Sequence, residues 1–241
     1  MTPLLSRRSF ISTAGLALAG NMLPSRGTSG ADDSVPFALD HILLGIDDLD
    51  RGIALVEERT GVRAVFGGVH PGRGTQNALL RLGTRRYLEI IAPDPKQASL
   101  VAYPELREMH EPRLLIWAVH TDDIAAVAKK LGDAGLATTG PEEGSRARPD
   151  GKMLHWQALR LKDDRGGLLP FFIEWGRDSV HPSVDAPAGC LLIRFDGASS
   201  DPGELRGVFA RLGVDMAVER GARQQLRARI AGPKEPVDFS S

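Results

Sequence analysis

Cysteine is almost absent: Cys190 is the only one among 241 residues. One thiol excludes an intrachain disulfide framework and a thiolate zinc site. Cys190 sits in the apolar stretch 190–195, where a small apolar filler is the expected role. Aromatic residues make up 5% of the chain, so the core must be built from Leu, Val, Ile and Ala. No dense basic stripe occurs, and Lys+Arg 30 against Asp+Glu 31 leaves a net charge of -1. That balance excludes nucleic acid as the main partner. No apolar run is long enough for a stable membrane anchor; the N-terminal one, 10–20, is too short to span a bilayer. The glycine-rich segment 67–74 has no Gly-Lys-Ser/Thr after it, which excludes a phosphate-binding loop. What remains, 42% hydrophobic and 25% charged residues, is the composition of a soluble globular protein.

The N-terminus reads as an address. Arg7-Arg8, between Ser6 and Phe10, precedes the short apolar run, and Ser29 and Ala31 suit cleavage before Asp32. This layout resembles a twin-arginine (Tat) signal over 1–31, which implies a periplasmic or secreted protein. Its removal takes away Arg7, Arg8 and Arg26 and no acid, so the net charge moves from -1 to -4.

From about Leu39 the chain repeats itself. Residues 39–46 form an apolar run of strand length, Asp47-Asp48 can cap a helix, and Ile53, Leu55, Val56 and Thr60 follow at helical spacing before Gly61. Strands are predicted over 62–69, 77–82 and 87–92. The order recurs at 113–121, with the cap Asp122-Asp123, a helix over 124–134, and strands over 154–161 and 169–175. The segments 141–152 and 163–167 read as loops. A third, looser copy begins at 190–195, with a helix over 202–212 and strands near 214–219, 224–230 and 237–239. The fold class is therefore α+β, with βαβββ modules over 38–94 and 113–176 and a partial one over 189–240. Two such modules can pair into an open barrel-like cup whose inner face takes alternate strand residues, and a cup of that kind is a natural small-molecule site.

Several stretches then point to a family. They are Leu39-Asp40-His41, the run Gly67-Gly68-Val69-His70-Pro71-Gly72-Arg73-Gly74-Thr75-Gln76-Asn77, Tyr87-Leu88-Glu89, and Pro170-Phe171-Phe172-Ile173-Glu174-Trp175. Over about 38–176 the chain resembles the glyoxalase-like domain family of the vicinal-oxygen-chelate superfamily. The resemblance implies metal ligands on the first and last strands of each module: His41, Glu89 and, from the second module, Glu174. One divalent ion, Mn, Fe, Ni or Zn, suits such a set. Glu89 or Glu174 is alternatively the proton-abstracting base. The equivalent of His41, 75 residues on, is Ile116, which cannot ligate. His120 stands four residues further along that strand, about 13 Å away, and His155 is the better reserve.

His70, Thr75 and Asn77 are expected at the cup mouth as substrate-orienting groups, with His155 and Trp117 as further contacts. Trp117, Trp156 and Trp175 all lie on strands of the second module, where core packing is the default for each. The resemblance implies an enzyme acting on a small oxygen-rich molecule by isomerase, lyase or ring-cleaving chemistry. It equally allows a metal-free binding protein of the bleomycin-resistance type. Pairing of modules within or between chains leaves room for a homodimer.

Overall fold

The computed structural model describes residues 35–241; the export segment expected over 1–31 lies outside them. Twelve strands and three α-helices follow in the order expected from the repeat. The first module runs β1 (Leu39–Gly45), α1 (Leu49–Thr60), β2 (Val65–His70), β3 (Thr75–Arg81) and β4 (Tyr87–Pro93). The second runs β5 (Arg113–His120), α2 (Ile124–Asp133), β6 (Thr138–Ala147), β7 (Met153–Leu161) and β8 (Phe171–Trp175). Aspartates start both helices: Asp48 accepts from the N–H of Arg51, and Asp123 accepts from the N–H of Ala126. Each bond satisfies one amide that the first helical turn leaves unpaired. Gly61 ends α1 at φ 83°, a left-handed conformation that favours glycine.

The eight strands form one curled sheet in the order β2-β3-β4-β1-β5-β8-β7-β6. The modules meet where β1 and β5 pair antiparallel, with Leu43 opposite Ile116 and His41 opposite Ala118. Strand β6 corrects the sequence reading, which made 141–152 a loop. It is an edge strand with exposed Glu142 and Glu143, paired only to β7. An edge strand needs one partner and carries charge outward, so it lacks the apolar alternation that marks a strand in sequence. The sheet edges β2 and β6 approach each other closely. A Cβ on Gly68, at φ 145°, would lie 2.7 Å from the carbonyl oxygen of Ala147, and the guanidinium of Arg146 donates to the carbonyl of Gly67 across this seam.

Alternation sorts the strands into two faces. Ile42, Leu44, Leu88, Ile90, Trp117 and Phe172 face the helices in the main core, whereas Leu43, Ile91, Ile116, Ala118 and Ile173 belong to a second cluster on the concave side. The third copy is β9 (Leu191–Ser199), α3 (Pro202–Leu212), β10 (Val218–Arg220), β11 (Gln225–Ala231) and β12 (Val237–Ser240). Its element order matches the other two but its strand order, β10-β9-β11-β12, does not. It packs on the helix side of the large sheet, where Trp117 meets Phe195 at 5.2 Å and Phe209 at 6.2 Å.

Candidate active site

A one-residue bulge in β1 builds the centre of the cup. Leu39 pairs with Val119 and His41 with Ala118, so Asp40 is the extra residue. A bulge re-aims the side chain it carries. Here it turns the Asp40 carboxylate alongside its own neighbour, and His41 Nδ1 lies 2.7 Å from Asp40 Oδ1. The other carboxylate oxygen accepts from Trp175 Nε1 at 3.0 Å and from His181 Nε2 at 3.1 Å. His181 Nδ1 accepts the N–H of Ser183 at 3.2 Å, which puts the ring proton on Nε2. Burial by itself would push the Asp40 carboxyl up, but the hydrogen bonds from His181 and His41 outweigh it and hold the group well below the usual range. An ionised Asp40 accepts from His41 Nδ1–H, fixing the tautomer that leaves Nε2 free to face the cup.

His41 Nε2 faces Glu89 Oε2 at 3.6 Å. The second oxygen of Glu89 accepts from the Asn77 amide at 2.8 Å and lies 3.7 Å from His70 Nε2. Asn77 Nδ2 is also 3.4 Å from His70 Nε2, and His70 Nδ1 is 2.9 Å from the Thr75 hydroxyl. Asn77 Oδ1 has no hydrogen-bond partner among the described residues; it lies beside Gly67, where a Cβ would come within 2.5 Å of it. The absent side chain makes room for the amide. Tyr87 stacks on His41 at 4.6 Å, and Phe171 meets that ring edge-on at 5.5 Å.

Burial raises the Glu89 carboxyl, but His70, His41 and the Asn77 amide outweigh it, so the group stays ionised below its ordinary range. Burial lowers His70, only partly offset by the charge of Glu89. Burial raises Tyr87 and Tyr103, which therefore keep their phenolic protons as hydrogen-bond donors. These groups line one cavity that is partly open to solvent.

The residues singled out in the sequence divide into two sets. His41, His70, Thr75, Asn77 and Glu89 line this one cavity. Glu174, His155 and Trp117 do not. Along β8, Phe171, Ile173 and Trp175 face the cup, so Glu174 falls on the opposite face, where its carboxylate accepts the N–H of Ile124 at 2.7 Å and caps α2. His155 is likewise on the far side of β7 from the cup-lining residues Trp156 and Arg160, and is exposed. Trp117 is fully buried in the main core, its indole N–H bonded to the carbonyl of Leu168. His120 is bonded to the carbonyl of Ala38. Sequence reading passed over Asp40, His181, Arg146, Arg160 and Tyr103; the only signal was the adjacency of Asp40 to His41.

The donor set does not fit a held divalent ion. Glu174 is on the wrong face, and Ile116 and Phe171 occupy the places from which the second module would supply ligands. His70 Nε2 and Glu89 Oε1 both face the Asn77 amide N–H, a hydrogen-bond donor rather than a cation site. No group of three or more His, Cys, Asp or Glu among the described residues is arranged to hold a metal.

A family model described as a glyoxalase-like domain matches residues 39–213. No curated protein matches the chain. A hypothetical protein from Staphylococcus aureus has a similar structure, with a TM-score of 0.60, 21% identity and 84% of each chain covered. Methylmalonyl-CoA epimerase from Mycobacterium tuberculosis aligns with a TM-score of 0.42 and 20% identity over 59% of this chain and 89% of its own. The Streptomyces coelicolor epimerase, solved in complex with 2-nitronate-propionyl-CoA, aligns with a TM-score of 0.46 and 19% identity over 61% of this chain and 99% of its own. At 21% identity the likeness to the Staphylococcus aureus protein is one of fold. Among the described residues no helix is long and apolar enough to cross a membrane.

Proposed function

The chain belongs to the glyoxalase-like domain family, and from that premise we propose that it is an enzyme that moves a proton on a small oxygen-rich molecule held in the cup. One observation carries this reading: the buried, ionised Glu89 is flanked by two imidazoles, His41 Nε2 at 3.6 Å and His70 Nε2 at 3.7 Å. The His41 ring is in turn fixed by Asp40. A base, a proton acceptor beside it and a third group that orients the acceptor are the parts that general acid–base catalysis needs.

In this reading Glu89 takes a proton from a carbon next to a carbonyl. The C–H electron pair moves onto the carbonyl oxygen, giving an enolate. Tyr103, protonated and at the cavity wall, is placed to donate a hydrogen bond to such an oxygen. Glu89 then shares the proton with His41 Nε2, and return of a proton to the opposite face of the carbon or to a neighbouring atom gives isomerisation; departure of a neighbouring group with its electron pair, as the carbonyl re-forms, would instead give elimination. No step runs through a metal ion.

A second reading is binding without chemistry. The observation that favours it is Phe171, an aromatic wall where the second module would repeat the carboxylate of Glu89. Both readings are tested by hydrogen–deuterium exchange at carbon, followed by NMR in D2O with phenylpyruvate and other small 2-oxo acids. Catalysed exchange that falls on the order of 10²–10⁴-fold in Glu89→Gln supports the enzyme. Saturable binding with no catalysed exchange on any of these acids overturns it in favour of the binding protein.

A further inference from the structure

Three guanidiniums, from Arg73, Arg146 and Arg160, face the same cavity as the single carboxylate of Glu89. Arg73 is paired with Glu142 at 3.7 Å. The other two form no ion pair among the described residues, although the charge of Glu89 acts on Arg146. Arg146 is 4% exposed and donates only to the carbonyl of Gly67. Arg160 lies over the Phe171 ring at 4.4 Å and reaches the Tyr103 hydroxyl at 3.5 Å. A buried cation held away from any anion is costly unless something compensates it. Strand β6 carries Arg146 and strand β7 carries Arg160, so both come from the half of the cup that lacks a carboxylate of its own.

From this we propose that the cup takes a small carboxylate with a planar body, bound through its carboxylate by Arg160. The inference rests on the proton-transfer reading and adds the substrate class to it. A guanidinium matches a carboxylate in plane and can donate two parallel hydrogen bonds. Stacking on Phe171 holds the Arg160 fork flat, and the same ring touches His41 on another side, at 5.5 Å. A carboxylate at Arg160 therefore directs the rest of the molecule toward His41 and Glu89. Trp156 and Trp175, 5.8 Å apart, offer aromatic walls for the planar body.

The test is calorimetric titration of the full protein with two matched pairs of probes: benzoate against benzamide, and phenylpyruvate against its methyl ester. Inorganic phosphate serves as the non-carboxylate anion. At least one carboxylate should saturate at millimolar concentration or below, with its neutral partner at least about tenfold weaker. Arg160→Gln should weaken the carboxylate by a similar factor without changing the neutral probe, and Arg160→Lys should fall between. A thermal melt of each variant reports folding, and Arg160 is chosen because Arg146 also clasps the sheet edges. Equal binding of the neutral probes, phosphate binding as tight as the carboxylates, no change in Arg160→Gln, or no binding of any carboxylate would overturn the inference. Failure of the proton-transfer reading looks different: carboxylates bind, and bind Glu89→Gln equally or more tightly, while no exchange at carbon occurs.

Discussion

Glu89 and Phe171 occupy equivalent places in the two halves of the large sheet. Glu89 lies opposite Leu43 across the parallel β1–β4 pairing, and Phe171 lies opposite Ala118 across β5–β8. Leu43 and Ala118 each stand five residues before the caps Asp48 and Asp123. The repeat therefore places a carboxylate on one side of the cup and an aromatic ring on the other. The acid–base groups and the unpaired arginines divide between the halves in the same way.

That asymmetry makes a prediction about metal. Protein purified without chelators should hold no stoichiometric divalent metal, and EDTA should change neither carboxylate binding nor exchange at carbon. The double substitution Ile116→His with Phe171→Glu should create a divalent-ion site together with His41 and Glu89, read as one equivalent of Zn or Mn by elemental analysis. Wild-type protein carrying one equivalent of metal, with binding or exchange lost in EDTA, would contradict the first half.

Glu174 is predicted to act on stability alone. Its carboxylate accepts the N–H of Ile124 at the start of α2, where the helix dipole favours a negative charge. Glu174→Ala should destabilise the fold by about 1 kcal/mol, visible as a lowered melting temperature, with exchange at carbon and carboxylate affinity as in wild type. Loss of exchange in a folded Glu174→Ala protein would return this residue to the chemistry.

The modules, their caps and the five polar residues of the first half were legible because their signals are local. An Asp before an apolar helical pattern, or His and Glu on an apolar strand, can be read without knowing the partner. Glu174 was misplaced because matching Glu to Glu assumed an 85-residue repeat offset, whereas the pairing equates Glu89 with Phe171, 82 residues on. An error of three residues on a strand exchanges the two faces. Arg146 was hidden in a polar edge strand that reads as a loop, and His181 lies outside every element predicted from the sequence. Beyond the adjacent His41, the partners of Asp40, Trp175 and His181, are far away in sequence, and no periodicity reports them. Trp117, whose default was core packing, was also offered as a substrate contact, and the third copy, carrying Phe195 and Phe209, decides for the core.

Export by the twin-arginine route is a further proposal, resting on the sequence of residues 1–31: the Arg7-Arg8 pair, the short apolar run and the small residues before Asp32. A twin-arginine address is read by a receptor and depends on the arginine pair. Replacing both with lysine should hold the precursor in the cytoplasm, measured by fractionation of cells expressing the full chain, and should leave the folded domain unchanged. Unaltered export of the lysine variant would contradict this route.

Asp40 couples stability and chemistry, and the two effects separate by pH. Its carboxyl is held below the ordinary range in the folded protein by His181 and His41, against the opposing effect of burial. A carboxyl lowered on folding contributes stability that is fully present above its unfolded value, about 3.9, and is lost as pH falls through the lower folded value. Asp40→Asn should therefore be destabilised most near neutral pH. The gap to wild type should close progressively below about pH 4, seen in melts from neutral to acid. At neutral pH the same variant cannot hold His41 Nδ1–H as a charged acceptor does, so the ring no longer keeps Nε2 toward Glu89. Exchange at carbon should then fall on the order of 10²-fold, while carboxylate affinity, set by Arg160, stays within about twofold. A stability gap independent of pH would show that Asp40 acts by shape alone. Equal loss of exchange and affinity would show that the bulge, rather than the charge on His41's neighbour, is what the substitution disturbs.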